Sequence, residues 1–130
     1  IIFPLGTDYN YEDSKEFGRL IAKIIHQELP TFTSIERYTD KRKGKLYIDF
    51  LQNRPQATVA APYSLRPKPF ATVSMPLHWD EVKQGLKMKD FTIFNAVSRA
   101  REQGEIFKGV LGKGINMEKA IPKLQDMLRK

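Results

Sequence analysis

A chain of 130 residues that is 41% hydrophobic can fill one modest core but not two comfortable ones. Its net charge of +7 and pI near 9.7 favour polyanionic partners: nucleic acid, nucleotides or an anionic membrane face. The lack of cysteine excludes a disulfide scaffold, thiolate zinc sites and a cysteine nucleophile, and no apolar run approaches the ~20 residues of a membrane span.

Ile1 to Leu5 reads as a strand, ended by Pro4 and Gly6, without the basic flank of a signal peptide. A chain that opens without Met into an apolar β-type run is expected to be cut from something longer. Asn10 suits an N-cap, with Glu12 and Asp13 in the first turn where the helix dipole favours acids. Phe17, Leu20, Ile21, Ile24, Ile25 and Leu29 then keep the spacing of a helix with one buried face, and Pro30 stops it. Thr31 to Asp40 is polar, a short strand or a loop. Lys41-Arg42-Lys43-Gly44-Lys45 is a basic turn, and Leu46 to Leu51 is a strand with Asp49 embedded in it.

Gln52 to Gln56 turns the chain, and Ala57 to Ala61 is a short β-prone run. Pro62, Pro67 and Pro69 fix φ and remove donors, so residues 62–70 are extended but not a central strand. Ala71 to Met75 reads as a last short strand and Leu77 to Leu86 as a short helix. Phe91 to Arg101 is expected to be a helix burying Ile93, Phe94 and Val97. Asn116 caps a final helix to Leu128. No internal repeat or linker interrupts this pattern, which predicts one compact unit with its strands mostly in the first half.

Asp49 is the most informative single residue. A carboxylate within an apolar strand faces solvent, pairs with a nearby Lys or Arg, or ligates a hard cation such as magnesium or manganese. One carboxylate does not make a metal site, since two-metal phosphoryl transfer needs several. Lys41, Arg42, Lys43 and Lys45 form either a solvated loop or a set of phosphate-backbone contacts. Arg66 and Lys68 alternate in Ser64-Leu65-Arg66-Pro67-Lys68, so on an extended backbone both point the same way, as an anion site or a plain surface strand. Gly109 to Gly114 does not match a phosphate-loop motif and reads as a turn before the last helix. His26 and His78 are too isolated for a zinc site; His26 reads as packed or solvated and His78 as a helix-start feature.

Four ordered stretches carry a resemblance. They are Lys43-Gly44-Lys45-Leu46-Tyr47-Ile48-Asp49-Phe50-Leu51-Gln52-Asn53-Arg54, Ala61-Pro62-Tyr63-Ser64-Leu65-Arg66-Pro67-Lys68, Val73-Ser74-Met75-Pro76-Leu77-His78-Trp79-Asp80-Glu81-Val82 and Asp90-Phe91-Thr92-Ile93. Together they resemble the polymerase domain of bacterial DNA ligase D, in the archaeo-eukaryotic primase superfamily. The resemblance implies nucleotide addition to DNA ends during non-homologous end joining. The family's centre uses an Asp-x-Asp pair, a phosphate-binding stretch with a histidine, and a final Asp at the end of an apolar strand. Asp49 matches the last, which implies a catalytic, metal-binding carboxylate for magnesium or manganese. Arg66 and Lys68 match basic positions that hold the incoming triphosphate, and Gln52, where some relatives carry Arg, joins that set. Lys41, Arg42, Lys43 and Lys45 are then nucleic-acid contacts.

This sequence contains no Asp-x-Asp, and Ile1 to Leu5 resembles the strand that follows the family's histidine motif. The resemblance therefore implies that residues 1–130 are a single module, the C-terminal portion of such a domain, and one inactive by itself. The implied fold is α+β, a partial primase-polymerase fold with a mainly antiparallel sheet packed against helices. The implied partners are DNA ends, NTP or dNTP, and a ligase domain or end-joining proteins, in a bacterial cytoplasm at the nucleoid and with no membrane. An open edge at Ile1 to Leu5 suggests a homodimer through that strand. The competing reading is a catalytically dead module that binds nucleic acid or assembles with a separate N-terminal half.

Overall fold

The structure, a computed structural model, describes residues 1–129. Among these residues there are three α-helices, α1 (Tyr11–Glu28), α2 (Ala96–Gln103) and α3 (Met117–Leu128), and two strands, β1 (Thr33–Ser34) and β2 (Leu46–Tyr47). They fall into two units, Ile1–Thr58 with Lys113–Lys130, and Val59–Gly112.

In the first unit, Asn10 starts α1 as its sequence suggests. Its side-chain oxygen accepts from the backbone N–H groups of Glu12 (2.8 Å) and Asp13 (3.0 Å). The Asp13 carboxylate accepts from the Asn10 N–H in return at 2.9 Å, which satisfies donors that a helix start otherwise leaves open. The helix buries Phe17, Ala22 and Ile24 and packs on α3 and β1. Thr33, the first residue of β1, is 1% exposed, and its hydroxyl donates to the Leu29 carbonyl at 2.8 Å. That hydroxyl hydrogen is thereby used, so Nδ1 of His26, 3.1 Å away, must carry the proton it shares with Thr33. His26 is a packed residue that ties α1 to β1.

The N-terminal segment forms no strand. Pro4 accepts from the Ile115 N–H at 2.8 Å, and the Tyr9 hydroxyl accepts from the Met117 N–H at 2.8 Å, which clips the segment to the start of α3. A homodimer through an open strand edge at Ile1 to Leu5 thus loses the edge it was argued from. Helix α3 begins as expected, with the Asn116 side chain accepting from the Lys119 N–H at 2.9 Å.

The expectation of a mainly antiparallel sheet is wrong. β1 and β2 are two residues each and pair in parallel, Thr33 beside Leu46 and Ser34 beside Tyr47. Antiparallel pairing is confined to isolated bridges, Leu65 with Val73 and Thr72 with Thr92. The chain is a helix-rich α+β protein. Two local causes shorten the strands that the apolar runs suggested. The Asp49 carboxylate takes the Leu51 N–H at 3.0 Å, a side-chain turn that withdraws the backbone from the ladder after Tyr47. In the second unit Tyr63, Phe70 and Ala71 all adopt positive φ, which breaks the extended backbone around the prolines.

That second unit is held by short-range devices. Tyr63 N–H donates to Ser74 (2.7 Å), Arg66 N–H to Thr72 (2.7 Å) and Val73 N–H to Phe91 (2.9 Å). The Asn95 side chain accepts from the Thr92 N–H at 2.9 Å and donates to the Asp90 carbonyl at 2.8 Å. This keeps residues 91–95 in a turn, so α2 starts only at Ala96, which is its buried residue. Ile93, Phe94 and Val97, expected in a core, are exposed, Phe94 to 88%. His78 does start a helical turn, Trp79–Glu81, whose Glu81 side chain accepts from the His78 N–H at 2.8 Å.

Gly114 permits the clip between the chain start and α3: a Cβ there would overlap the Leu5 carbonyl carbon and the Gly6 nitrogen. Gly114→Ala is expected to lower stability by about 1–3 kcal/mol in urea unfolding. Gly109→Ala, where a Cβ meets open space, should stay within about 0.5 kcal/mol. A second expectation concerns acid. Arg99 donates to Glu81 at 2.7 Å and, with the His78 N–H, holds the Glu81 carboxyl below its ordinary 4.5. A depressed carboxyl stabilises the fold above the ordinary value and loses that contribution as pH falls through the lower, folded one. Glu81→Gln should therefore flatten the acid side of a pH–stability curve below about pH 4.5 and leave its neutral side parallel to wild type.

Candidate functional site

The parallel pairing of β1 and β2 brings the exits of both strands to the same end. Arg37 follows β1 there, and Asp49, Leu51, Gln52 and Arg54 follow β2. With Arg42 and Tyr47 they line a cleft of about 250 Å³. The connection between the strands, residues 35–45, contains a 3-10 turn at Thr39–Arg42.

Arg42 holds this connection. Its Nε donates to the Glu36 carbonyl at 2.9 Å, a second guanidinium nitrogen donates to the Arg37 carbonyl, and its guanidinium carbon lies 3.8 Å from the Tyr47 ring centroid. The planar fork can serve two carbonyls and an aromatic face at once, which an ammonium cannot. The far wall is a turn in which both the backbone N–H (3.2 Å) and the side-chain amide (3.1 Å) of Asn53 donate to the Phe50 carbonyl. Gly18 of α1 leaves room for it, since a Cβ there would stand 2.8 Å from the Asn53 amide nitrogen.

Three arginines thus share the cleft with one carboxylate, and Arg42 is engaged with the carbonyls and the Tyr47 ring. Burial first, and then the neighbouring Asp49 charge, raises the Tyr47 phenol above its ordinary 10.0, so the ring stays neutral beside the cations. Asp49 is exposed, and one of its oxygens is already bonded to the Leu51 N–H. Among the described residues no three His, Cys, Asp or Glu side chains come together to hold a metal. This donor set does not by itself fit magnesium or manganese, which take several oxygen ligands. An arginine-lined cleft of this kind suits phosphate oxygens, which guanidinium groups bind in pairs.

Of the residues singled out in the sequence, Asp49, Gln52 and Arg42 come together in this cleft. Lys45 donates to the Pro30 carbonyl at 2.7 Å, and Lys41 Nζ lies 5.4 Å from the Tyr38 ring centroid. Lys43 is exposed at a left-handed position, φ 49°. Arg66 and Lys68 belong to the other unit, and their backbone is not extended: the Lys68 N–H donates to the Arg66 carbonyl at 2.8 Å, closing a tight turn over Pro67. The argument that strand alternation points both side chains one way therefore fails. Arg37, Tyr47 and Arg54 were missed as site residues. Arg54 could have been found two positions beyond Gln52 in the same turn, but Arg37 is reached only through the strand register.

The site is an arginine-lined cleft beside one exposed carboxylate on a basic chain. Residues 1–107 match the LigD primase-polymerase domain family, and the chain belongs to that family. It is 35% identical over 105 residues to the bifunctional non-homologous end joining protein LigD of Bacillus subtilis, covering 80% of this chain and 17% of that protein. It is 27% identical over 103 residues to the multifunctional non-homologous end joining protein LigD of Mycolicibacterium smegmatis, covering 79% of this chain and 13% of the relative. The multifunctional non-homologous end joining DNA repair protein LigD of Mycobacterium tuberculosis H37Rv is 24% identical over 105 residues, 81% of this chain and 14% of its own length. The chain thus spans less than a fifth of these relatives. No helix among the described residues is long and apolar enough to cross a membrane.

Two kinds of arginine share this cleft and should separate on mutation. Arg42→Ala removes two carbonyl contacts and the Tyr47 stack, and is expected to cost about 1–3 kcal/mol in urea unfolding, with Arg42→Lys restoring little of it. Arg37→Ala and Arg54→Ala, at exposed residues with no such contacts, should leave stability within about 0.5 kcal/mol in the same unfolding assay.

Proposed function

We propose that this chain supplies the triphosphate- and DNA-holding face of a LigD-type primase-polymerase domain acting in non-homologous end joining. One observation carries the reading: Asp49 and Gln52 share a cleft with Arg37, Arg42 and Arg54. The guanidinium groups offset phosphate charge, and the Gln52 amide donates a neutral hydrogen bond that fixes orientation. Arg66 and Lys68, in the second unit, are themselves phosphate-binding residues, and Lys41, Lys43 and Lys45 of the first unit meet the DNA backbone. Asp49 acts as one carboxylate ligand of a magnesium or manganese ion whose other ligands the described residues do not provide.

NTP or dNTP and DNA ends are the partners on this reading, with a ligase domain or other end-joining proteins alongside, at the nucleoid in the cytoplasm. A second reading, a binding or assembly module without catalysis, draws on the lone carboxylate: no three potential metal ligands meet among the described residues. Both readings expect salt-sensitive binding of DNA and triphosphate by the 130-residue chain, and neither expects transfer by it alone. Fluorescence anisotropy with a tailed duplex from 50 to 200 mM salt should show affinity falling steeply. Salt-insensitive or absent binding removes both readings. Magnesium-dependent incorporation of a labelled nucleotide onto a primer by this chain would remove the second reading and refute the inactivity that the first assigns to the chain by itself.

A further inference from the structure

The connection between β1 and β2 does more than close the cleft. Residues 36–45 carry five cations, Arg37, Lys41, Arg42, Lys43 and Lys45, and in their midst one aromatic ring, Tyr38, which is 64% exposed. Exposure alone does not single out this ring, since Phe32, Phe70, Trp79 and Phe94 are exposed as well; its setting among five cations does. The backbone that carries it is tied down from three directions. The Ser34 hydroxyl accepts from the Glu36 N–H at 3.1 Å, and the Glu36 carboxylate accepts from the Tyr38 N–H at 3.3 Å. Arg42 binds the carbonyls of Glu36 and Arg37, and the Lys41 N–H donates to the Tyr38 carbonyl at 3.2 Å. Tyr38 is therefore an exposed ring on a braced backbone, not a loosely tethered one. Its predecessor Arg37 lines the cleft, and the Lys41 ammonium lies 5.4 Å from its ring centroid.

An aromatic face presented among cations is the arrangement that holds single-stranded nucleic acid: the ring stacks on a base while the cations track the phosphates. We infer that Tyr38 is a stacking platform for an unpaired base of single-stranded DNA, next to the cleft of Arg37 and Asp49. This rests on the DNA-binding reading above but names a residue, a contact type and a strand state which that reading leaves open. Stacking on a ring is sequence-tolerant and uncharged, so it has a signature distinct from that of the lysines.

The test uses the 130-residue chain and a DNA duplex with a single-stranded tail containing 2-aminopurine, whose fluorescence drops on stacking. Wild type should bind the tailed duplex more tightly than the blunt one and quench the probe. Tyr38→Ala should weaken tailed-duplex binding about tenfold, abolish the quench, leave blunt-duplex binding unchanged and keep the wild-type salt slope. Tyr38→Trp should restore both affinity and quench. Lys41→Ala with Lys43→Ala should instead flatten the salt slope, by about 0.7 per lost phosphate contact on a single strand, and retain the quench. If wild type binds DNA and Tyr38→Ala binds tailed and blunt duplex as wild type does, the stacking role is overturned and the DNA reading stands. If wild type binds neither DNA, both fall.

Discussion

Arg42 sits where the two parallel strands must be joined, and the geometry of the cleft depends on what its guanidinium does. Parallel strands cannot be linked by a tight hairpin, so the chain travels eleven residues between Ser34 and Leu46. An exposed connection of that length would ordinarily be loose. Here one fork gathers the carbonyls of Glu36 and Arg37 and stacks on the Tyr47 ring, which fastens the middle of the connection to the start of the second strand's exit. A residue that reads as one more surface cation among lysines is the brace of the site. The same bonds direct Arg37 to the cleft and set the backbone from which Tyr38 projects.

The charge balance follows from that brace. Arg42 spends donors on carbonyls, which leaves Arg37 and Arg54 as the wall cations with fewer internal obligations beside Asp49. A carboxylate in the same cleft as these arginines limits which anion can settle. A group rich in charge, such as a triphosphate, can outweigh the local repulsion from Asp49, and a weakly charged one gains less.

The two units differ in how they are held. The first has a capped eighteen-residue helix packed on a second helix, with Phe17, Ala22, Ile24 and Met117 in its interior. The second relies on turns, side-chain caps and the Glu81–Arg99 pair, with Thr72 and Ala96 its buried residues. Elements stabilised by local hydrogen bonds and few apolar contacts open at lower free energy than packed helices. Residues 59–112 are accordingly the part whose backbone should exchange first.

Much of the helical content was legible in the chain itself. Asn10 with Asp13, the 3.6-residue spacing of α1, Pro30 as a stop and Asn116 as a cap act within a few residues of one another, so local sequence determines them. The ordered motifs around Asp49 and Arg66 were equally visible and carried the family. The sheet was not, because strand pairing is decided by partners far away in sequence and by side chains that compete for backbone donors. The Asp49 carboxylate capturing the Leu51 N–H ended a strand that apolar alternation would have continued. The burial of Phe94 and Val97 was misjudged for a related reason: Asn95 bonds to Thr92 and Asp90 and delays the helix by about one turn. By itself, then, the sequence determined the capped helices, the basic character and the kinship of the Asp49 segment. Only the tertiary structure decided that Arg37, Arg42 and Arg54 share one cleft with that carboxylate, because a parallel register between β1 and β2 is what brings the two strand exits together.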